Sequence, residues 1–338
     1  MEPTHESQDP DDSLIRRPVQ AVACFFLSVA FVLGLPGNAV VIWTILCRMR
    51  ERSPTVLLLL HLALSDLLVL ATLPAWIWAL ADAWRFGSLL CQAVVWVVYC
   101  GMFSSILLIT VLSLERFAAI FHPFSLQNHW DRATASKVIG LVWLLSLALS
   151  TPVPFTTDTD LCLSRKFSSS EQLVGLLLLE TLVGFTVPFL VISTCYTCIR
   201  LRIRRLSYPG RQRTERLVAG VVVAFAICWL PYHTVNLVAI SSELLEGTDR
   251  ELAERLHEAS IIGHCISAFL AFFSSCLNPL LYACAARSFR SSLRGTRLAK
   301  LFEQMAQNLE TESSKELSTM DKREVTFNPS QSHVSVGI

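Results

Sequence analysis

Charge is what this chain has least of. Only 16% of its 338 residues are charged, against 53% hydrophobic, and the formal net charge is +1. A soluble domain carries about 25% charged residues, so composition alone argues against one. A nucleic-acid binder is excluded as well, because no basic stripe interleaved with aromatics occurs. There is no Asn-x-Ser/Thr sequon; Asn328 is followed by Pro329. His61, His122, His233 and His264 are scattered in depth without HExxH spacing, which disfavours an intramembrane metallohydrolase. The apolar run Ile261–Ala286 has no lysine, so a retinal Schiff base is excluded. No internal repeat speaks for a transporter.

What the chain does have is seven long apolar runs: Val19–Leu46, Val56–Ala81, Leu89–Phe121, Val138–Phe155, Leu173–Ile199, Leu217–Ile240 and Ile261–Ala286. Each is long enough to cross a bilayer, and in lipid the backbone must satisfy itself as helix. Arg16 and Arg17 precede the first run, but it is too long for a signal peptide and lacks a small-residue cleavage site. The loop after the fifth run holds Arg200, Arg202, Arg204, Arg205, Arg211, Arg213 and Arg216, and the first loop holds Arg48, Arg50 and Arg52. The N-terminal segment and the loop after the sixth run are acidic. Arginine-rich loops face the cytoplasm, which puts the N-terminus outside and the C-terminus inside.

The third run organises the rest. Arg116 lies 25 residues after Cys91, about 38 Å along a helix, more than the hydrocarbon core. Its Tyr99, Ser104, Ser105, Thr110 and Ser113 suit a helix inside a bundle. Glu115 and Arg116 close it with adjacent charges. Asp66 and Ser105 each lie about 16 Å from the arginine-rich surface, near the bilayer centre. A carboxylate there is a functional candidate, an oxygen-lined cation site; the plainer reading is a polar knot that holds helices together. Of 11 cysteines, Cys91 and Cys162 alone sit at the outer, oxidising side, which predicts a disulfide pinning the loop across the bundle mouth. Pro152 and Pro154 stop or kink the fourth run, and Pro188, Pro231 and Pro279 interrupt the last three.

Glu115-Arg116, Trp229-x-Pro231 and Asn278-Pro279-x-x-Tyr282 together resemble a rhodopsin-like (class A) G-protein-coupled receptor, over roughly residues 19–303. Asn38, Asp66, Arg116, Trp143, Pro188, Pro231 and Pro279 each stand where that family places a characteristic residue. Within the class the chain is similar to leukotriene B4 receptors at residues 34–38, 104–110, 229–237 and 271–279. The resemblance implies an all-α, seven-transmembrane helix bundle in the plasma membrane, with no catalysis and no cofactor beyond an allosteric sodium ion. Asp66 with Asn38, Ser105, Ser274 and Asn278 matches the sodium pocket. The G-protein switch falls on Glu115, Arg116, Tyr196, Trp229, Pro231, Asn278, Pro279 and Tyr282.

The resemblance places a small amphipathic lipid ligand against Tyr99, Met102, Glu180, His233, Asn236 and His264, with Val95, Trp96, Phe155 and Leu237 in the wall. Val98 stands where amine receptors carry an aspartate. Leukotriene receptors carry basic residues where this chain reads Thr157 and His264, so the carboxylate anchor is expected at His264 or at the loop cations Arg85, Arg165 and Lys166 near the mouth. Phe117 replaces a tyrosine. Arg211 takes the place of a glutamate that would lock Arg116, leaving Glu115 as its partner. The alternatives are a chemoattractant-peptide receptor or a non-signalling decoy; a transporter or intramembrane enzyme is further off.

The expected organisation is an extracellular disordered tail at 1–18, the seven-helix domain at 19–286, a basic amphipathic membrane-surface helix at 287–307 and a disordered cytoplasmic tail at 308–338. Thr311, Ser313, Ser314, Ser318 and Thr319 lie in that tail among acidic residues. Phosphorylated by a receptor kinase, they would recruit arrestin alongside the heterotrimeric G protein.

Overall fold

The computed structural model describes residues 10–49, 53–159, 162, 164–205 and 211–289, with backbone alone for residues 10–19, 48, 203–205, 211–221, 265 and 280–289. Among the described residues ten α-helices follow one another: α1 (Pro10–Trp43), α2 (Pro54–Ala71), α3 (Leu73–Ala81), α4 (Ser88–Phe121), α5 (Pro123–His129), α6 (Arg132–Ser150), α7 (Ser170–Thr181), α8 (Val187–Arg205), α9 (Arg211–Leu245) and α10 (Arg250–Phe289). No strand occurs among the described residues; one antiparallel bridge joins Thr157 and Arg165. Among the described residues seven segments are long and apolar enough to cross a membrane, with α2–α3 and α7–α8 each forming one.

The helix ends depart from hydropathy in instructive ways. α1 starts at Pro10, inside the segment read as a disordered tail; proline suits the first position of a helix because its missing N–H would have no intrahelical partner there. α6 starts at Arg132 rather than Val138, because the Asp131 carboxylate accepts from Thr134 N at 2.8 Å. α10 starts at Arg250, well before the apolar run. Its polar first turns are held by Leu252 N donating to Asp249 Oδ1 and by the pairs Arg250–Glu254 and Arg255–Glu251. Ahead of Pro188 the fifth span widens into a π-type turn, Leu182–Thr186, in which Thr186 Oγ1 donates to Thr181 O. The proline ring would otherwise press on the carbonyl four residues back, so the turn opens. Residues 290–338 lie outside the description, and with them most of the amphipathic segment and the five tail hydroxyls.

α4 is the axis. It packs on α2, α6 and α8, burying Val98, Gly101, Phe103, Ile106 and Leu108. Towards the Arg116 end Leu108 joins Val56, Leu58 and Leu62 of α2 and Ile139 and Val142 of α6. At the other end Cys91 is bonded to Cys162, beside Trp84, Val95 and Val153. This bond holds a short hairpin over the bundle: Asp158 N donates to Ser164 O and Lys166 N to Thr156 O.

Gly101 sets the α2–α4 distance. A methyl group there would stand 2.5 Å from Val69 Cγ2 and 3.1 Å from the Ser65 carbonyl. Gly101→Ala is therefore expected to destabilise the protein by about 1–3 kcal/mol through overpacking. Thermal unfolding of the purified protein checks it; an unchanged melting temperature would refute the tight contact.

Candidate functional site

Polar side chains in a bundle gather at three depths, and α4 contributes to each. At the disulfide end the hairpin sends Arg165 down between α4 and α7. Its Nη1 donates to Glu180 Oε1 at 2.6 Å, with the two side chains 17% and 7% exposed. Nε and Nη2 donate to Thr156 Oγ1 at 3.4 and 3.2 Å, and the guanidinium lies over the Phe167 and Tyr99 rings. Burial pulls its pKa down, but Glu180 and the Tyr99 and Tyr232 hydroxyls more than offset this, so the net shift is upward. Arg165 is thus a buried, permanently charged group and not a solvated loop cation. The two other loop cations are exposed: Lys166 lies in solvent and Arg85 pairs with Asp82.

Glu180 uses its second oxygen as well. The Tyr232 hydroxyl donates to Oε2 at 3.3 Å. Its single proton being spent there, Tyr99 is the donor in the 2.9 Å contact between the two tyrosines. Asn236 lies one α9 turn beyond Tyr232; its amide meets Nε2 of His264 on α10 at 2.8 Å, while His264 Nδ1 donates to Ser260 O. Both ring nitrogens are occupied, so in this arrangement His264 presents no free ring nitrogen to a carboxylate. Whichever way the Asn236 amide is turned, one of its ends has no partner among the described residues. His233 is stacked on Phe185 and reaches Thr181 Oγ1 through Nδ1 at 3.4 Å, while its buried Nε2 has no described partner. Gly184, lacking a side chain, leaves room at that ring edge. Met102 and Trp229 pack in the apolar cluster below, with Phe225 and Ile192. Phe155 and Leu237 do not line this site; they are 77% and 47% exposed at the surface.

At mid-depth Asp66, fully buried, accepts from Ser105 Oγ at 3.0 Å and from Asn278 Nδ2 at 2.6 Å. Asn38 Nδ2 donates to the carbonyls of Gly34 and Ser275 at 3.0 Å each, and its Oδ1 is left without a described partner. Ser275 contributes its carbonyl to Asn38, and Ser274 Oγ donates to Ala271 O. One carboxylate, hydroxyls and an orphaned amide oxygen form a hard-oxygen set, suited to a monovalent cation. Among the described residues no cluster of His, Cys, Asp and Glu fits a transition metal.

At the Arg116 end the structure corrects a second expectation. Glu115 Oε1 accepts from Thr55 Oγ1 and from Trp130 Nε1 (3.2 Å), so its carboxylate is turned towards α2 and the α5–α6 connection. Consecutive helical residues point about 100° apart, which keeps Glu115 from Arg116. Arg116 is half-buried, and on the same end of the bundle Tyr196 and Phe117 pack against Ile199. Pro231 and Pro279 lie within α9 and α10. The side chains of Tyr282 and Arg211 lie outside the described set.

Sequence reasoning placed Arg165 only among the loop cations at the mouth, and it did not single out Tyr232 or Thr156 as site residues. A signal existed for the first: Arg165 is three residues from Cys162, whose bond fixes it over the mouth.

The comparisons agree with this architecture. Residues 37–282 match the family described as 7 transmembrane receptor (rhodopsin family). Human leukotriene B4 receptor 1 is 39% identical over 84% of this chain and 82% of its own length. The rainbow trout (Oncorhynchus mykiss) C5a anaphylatoxin chemotactic receptor 1 is 34% identical over 90% and 89%, and the macaque (Macaca mulatta) N-formyl peptide receptor 2 is 33% identical over 81% and 84%. Proteins of this kind are receptors and not enzymes. The chain is a multi-pass plasma-membrane protein and belongs to the rhodopsin family of seven-transmembrane, G-protein-coupled receptors.

Proposed function

We propose that this receptor answers to an anionic, hydroxylated lipid of the leukotriene B4 type, with the disulfide end outside the cell. One observation carries the reading: the site combines a largely buried guanidinium, Arg165, with neutral hydrogen-bonding groups that have no partner among the described residues, His233 Nε2 and one end of the Asn236 amide. Buried polar atoms are almost always satisfied, so such orphans call for a partner. A long acid with hydroxyls along an apolar chain supplies both kinds. Four relatives named leukotriene B4 receptor 1 are 36–40% identical, against 30–34% for those named for chemerin-like, C5a or formyl-peptide receptors. The peptide receptors keep a chemoattractant peptide as the second reading. The disulfide supports the orientation, since such bonds persist on the oxidising side.

The response is a population shift. The lipid favours one arrangement of the helices around Pro231 and Pro279, and its differential affinity sets how far the bundle moves. Arg116, not pinned by Glu115, then meets the heterotrimeric G protein. Receptor kinase and arrestin would act on the tail. On cells expressing the chain, leukotriene B4-type acids should trigger G-protein activation. Asn236→Ala should cost a dihydroxylated acid about 1–3 kcal/mol of binding and its deoxy analogue less. Activation by peptides alone would move the receptor to the second reading, and binding without G-protein activation would make it a decoy.

We also propose that Asp66, with Asn38, Ser105 and Asn278 around it, holds an allosteric sodium ion that favours the inactive bundle; Ser274 is at most an outer member of that set. Agonist affinity should fall when sodium replaces a large organic cation, and Asp66→Asn should remove that dependence. A sodium response unchanged in the mutant would leave Asp66 a purely structural group.

A further inference from the structure

Arg165 comes from a hairpin fixed by a disulfide, whereas its partners Glu180 and Tyr232 come from two membrane helices. The chain Arg165–Glu180–Tyr232 therefore ties a static strap to α7 and, through Tyr232, to α9 immediately after Pro231. Glu180 is shared: Oε1 holds the guanidinium and Oε2 holds the tyrosine. Arg165 carries a second hydrogen on each of Nη1 and Nη2 beyond these bonds, so another carboxylate reaches it before Glu180 leaves. Two carboxylates on one buried guanidinium repel, and the pair with a second anion holds an uncompensated charge away from water. One of them must go.

We propose that Glu180 occupies the receptor's anion site in the resting state, and that the ligand's carboxylate displaces it from Arg165, releasing Tyr232 and with it α9. This deepens the lipid-acid reading and rests on it for the identity of the displacing anion. The latch itself does not. The strap stays in place because Cys162 and the Thr157–Arg165 bridge hold it, so the movement falls on the helices. Glu180 is then a built-in competitor, which sets both the affinity for the acid and the receptor's silence without it.

The experiment uses the full-length receptor in cell membranes, with leukotriene B4 and its methyl ester as probes and signalling counted per receptor at the surface. In Glu180→Gln the amide keeps an oxygen for Tyr232 but no longer competes as an anion. The acid should gain about tenfold in affinity, the ester should not, and ligand-independent signalling should rise. In Arg165→Gln the acid should lose its advantage over the ester. Tyr232→Phe cuts only the link to α9, so basal signalling should rise while the acid–ester preference persists. Equal weakening of acid and ester by Glu180→Gln would overturn the exchange and make Glu180 a simple hydroxyl acceptor. If neither probe binds the wild-type receptor, the lipid reading fails, and the latch is judged on basal signalling alone. A rise in each single variant that returns towards wild type in the Arg165→Glu, Glu180→Arg double swap upholds it; silent single variants refute it.

Discussion

Hydrocarbon offers no hydrogen bonds, and that constraint shapes everything in this chain. Backbone groups satisfy themselves by forming helices. Side-chain polar groups face the same demand and meet it by finding one another inside the bundle. Asn38 reaches across to the Ser275 carbonyl, Asn278 and Ser105 converge on Asp66, and Trp143 Nε1 donates to His61 Nδ1 at 3.2 Å. Each such bond joins two spans that are otherwise held by apolar packing. The arrangement of helices is therefore specified by a few polar pairs, while the apolar clusters supply most of the contact area.

The polar pairs are layered, and α4 reads all the layers. Tyr99 belongs to the Arg165 group, Ser105 to the Asp66 group and Glu115 to the group with Thr55 and Trp130. α4 is pinned at one end by the Cys91 disulfide and wedged against α2 at Gly101. α9 has no disulfide and closes on α10, where a methyl group on Gly263 would stand 2.7 Å from Val235 Cγ2; it carries an internal proline, and at the disulfide end its hydrogen bonds are to side chains, Glu180, Thr181 and His264. Small bistable rearrangements of side-chain partners are what packed bundles use to switch. The mobile element expected here is α9, moving against a fixed α4.

The seven spans were legible because hydropathy reports lipid contact directly, and the single-residue motifs located Asp66, Arg116, Pro231 and Asn278. What hydropathy does not see is helix outside the membrane. The α10 extension from Arg250 is built from Asp249 capping and Glu–Arg pairs, a signature of polar residues that an apolar window discards. The pairing of Glu115 was misjudged because sequence neighbours were treated as spatial ones, although helical geometry separates them. Arg165 was the harder case. Its burial depends on a hairpin that places it opposite Thr157, so the loop restores a cation close to the position where leukotriene receptors were expected to carry one. No local propensity reveals that, but a disulfide three residues away restricts where such a side chain can reach.

The Arg165–Glu180 pair is a poor device for stability alone. Removing two charges from water offsets most of their attraction, and well-packed apolar replacements of buried pairs are often neutral or stabilising by about 1–4 kcal/mol. Loss of one member, by contrast, leaves a bare charge and costs about 3–5 kcal/mol. An interaction with those two properties resists deletion of either charge yet tolerates replacement of one anion by another, because the guanidinium is satisfied by any well-placed carboxylate. Exchange is therefore the low-cost way to change this part of the molecule, and the group that loses its partner is Glu180, on the span that packs against α9. The desolvation already spent on burying Arg165 is a cost the incoming anion does not meet again, which is why a pre-paired cation serves a ligand better than an exposed lysine at the rim.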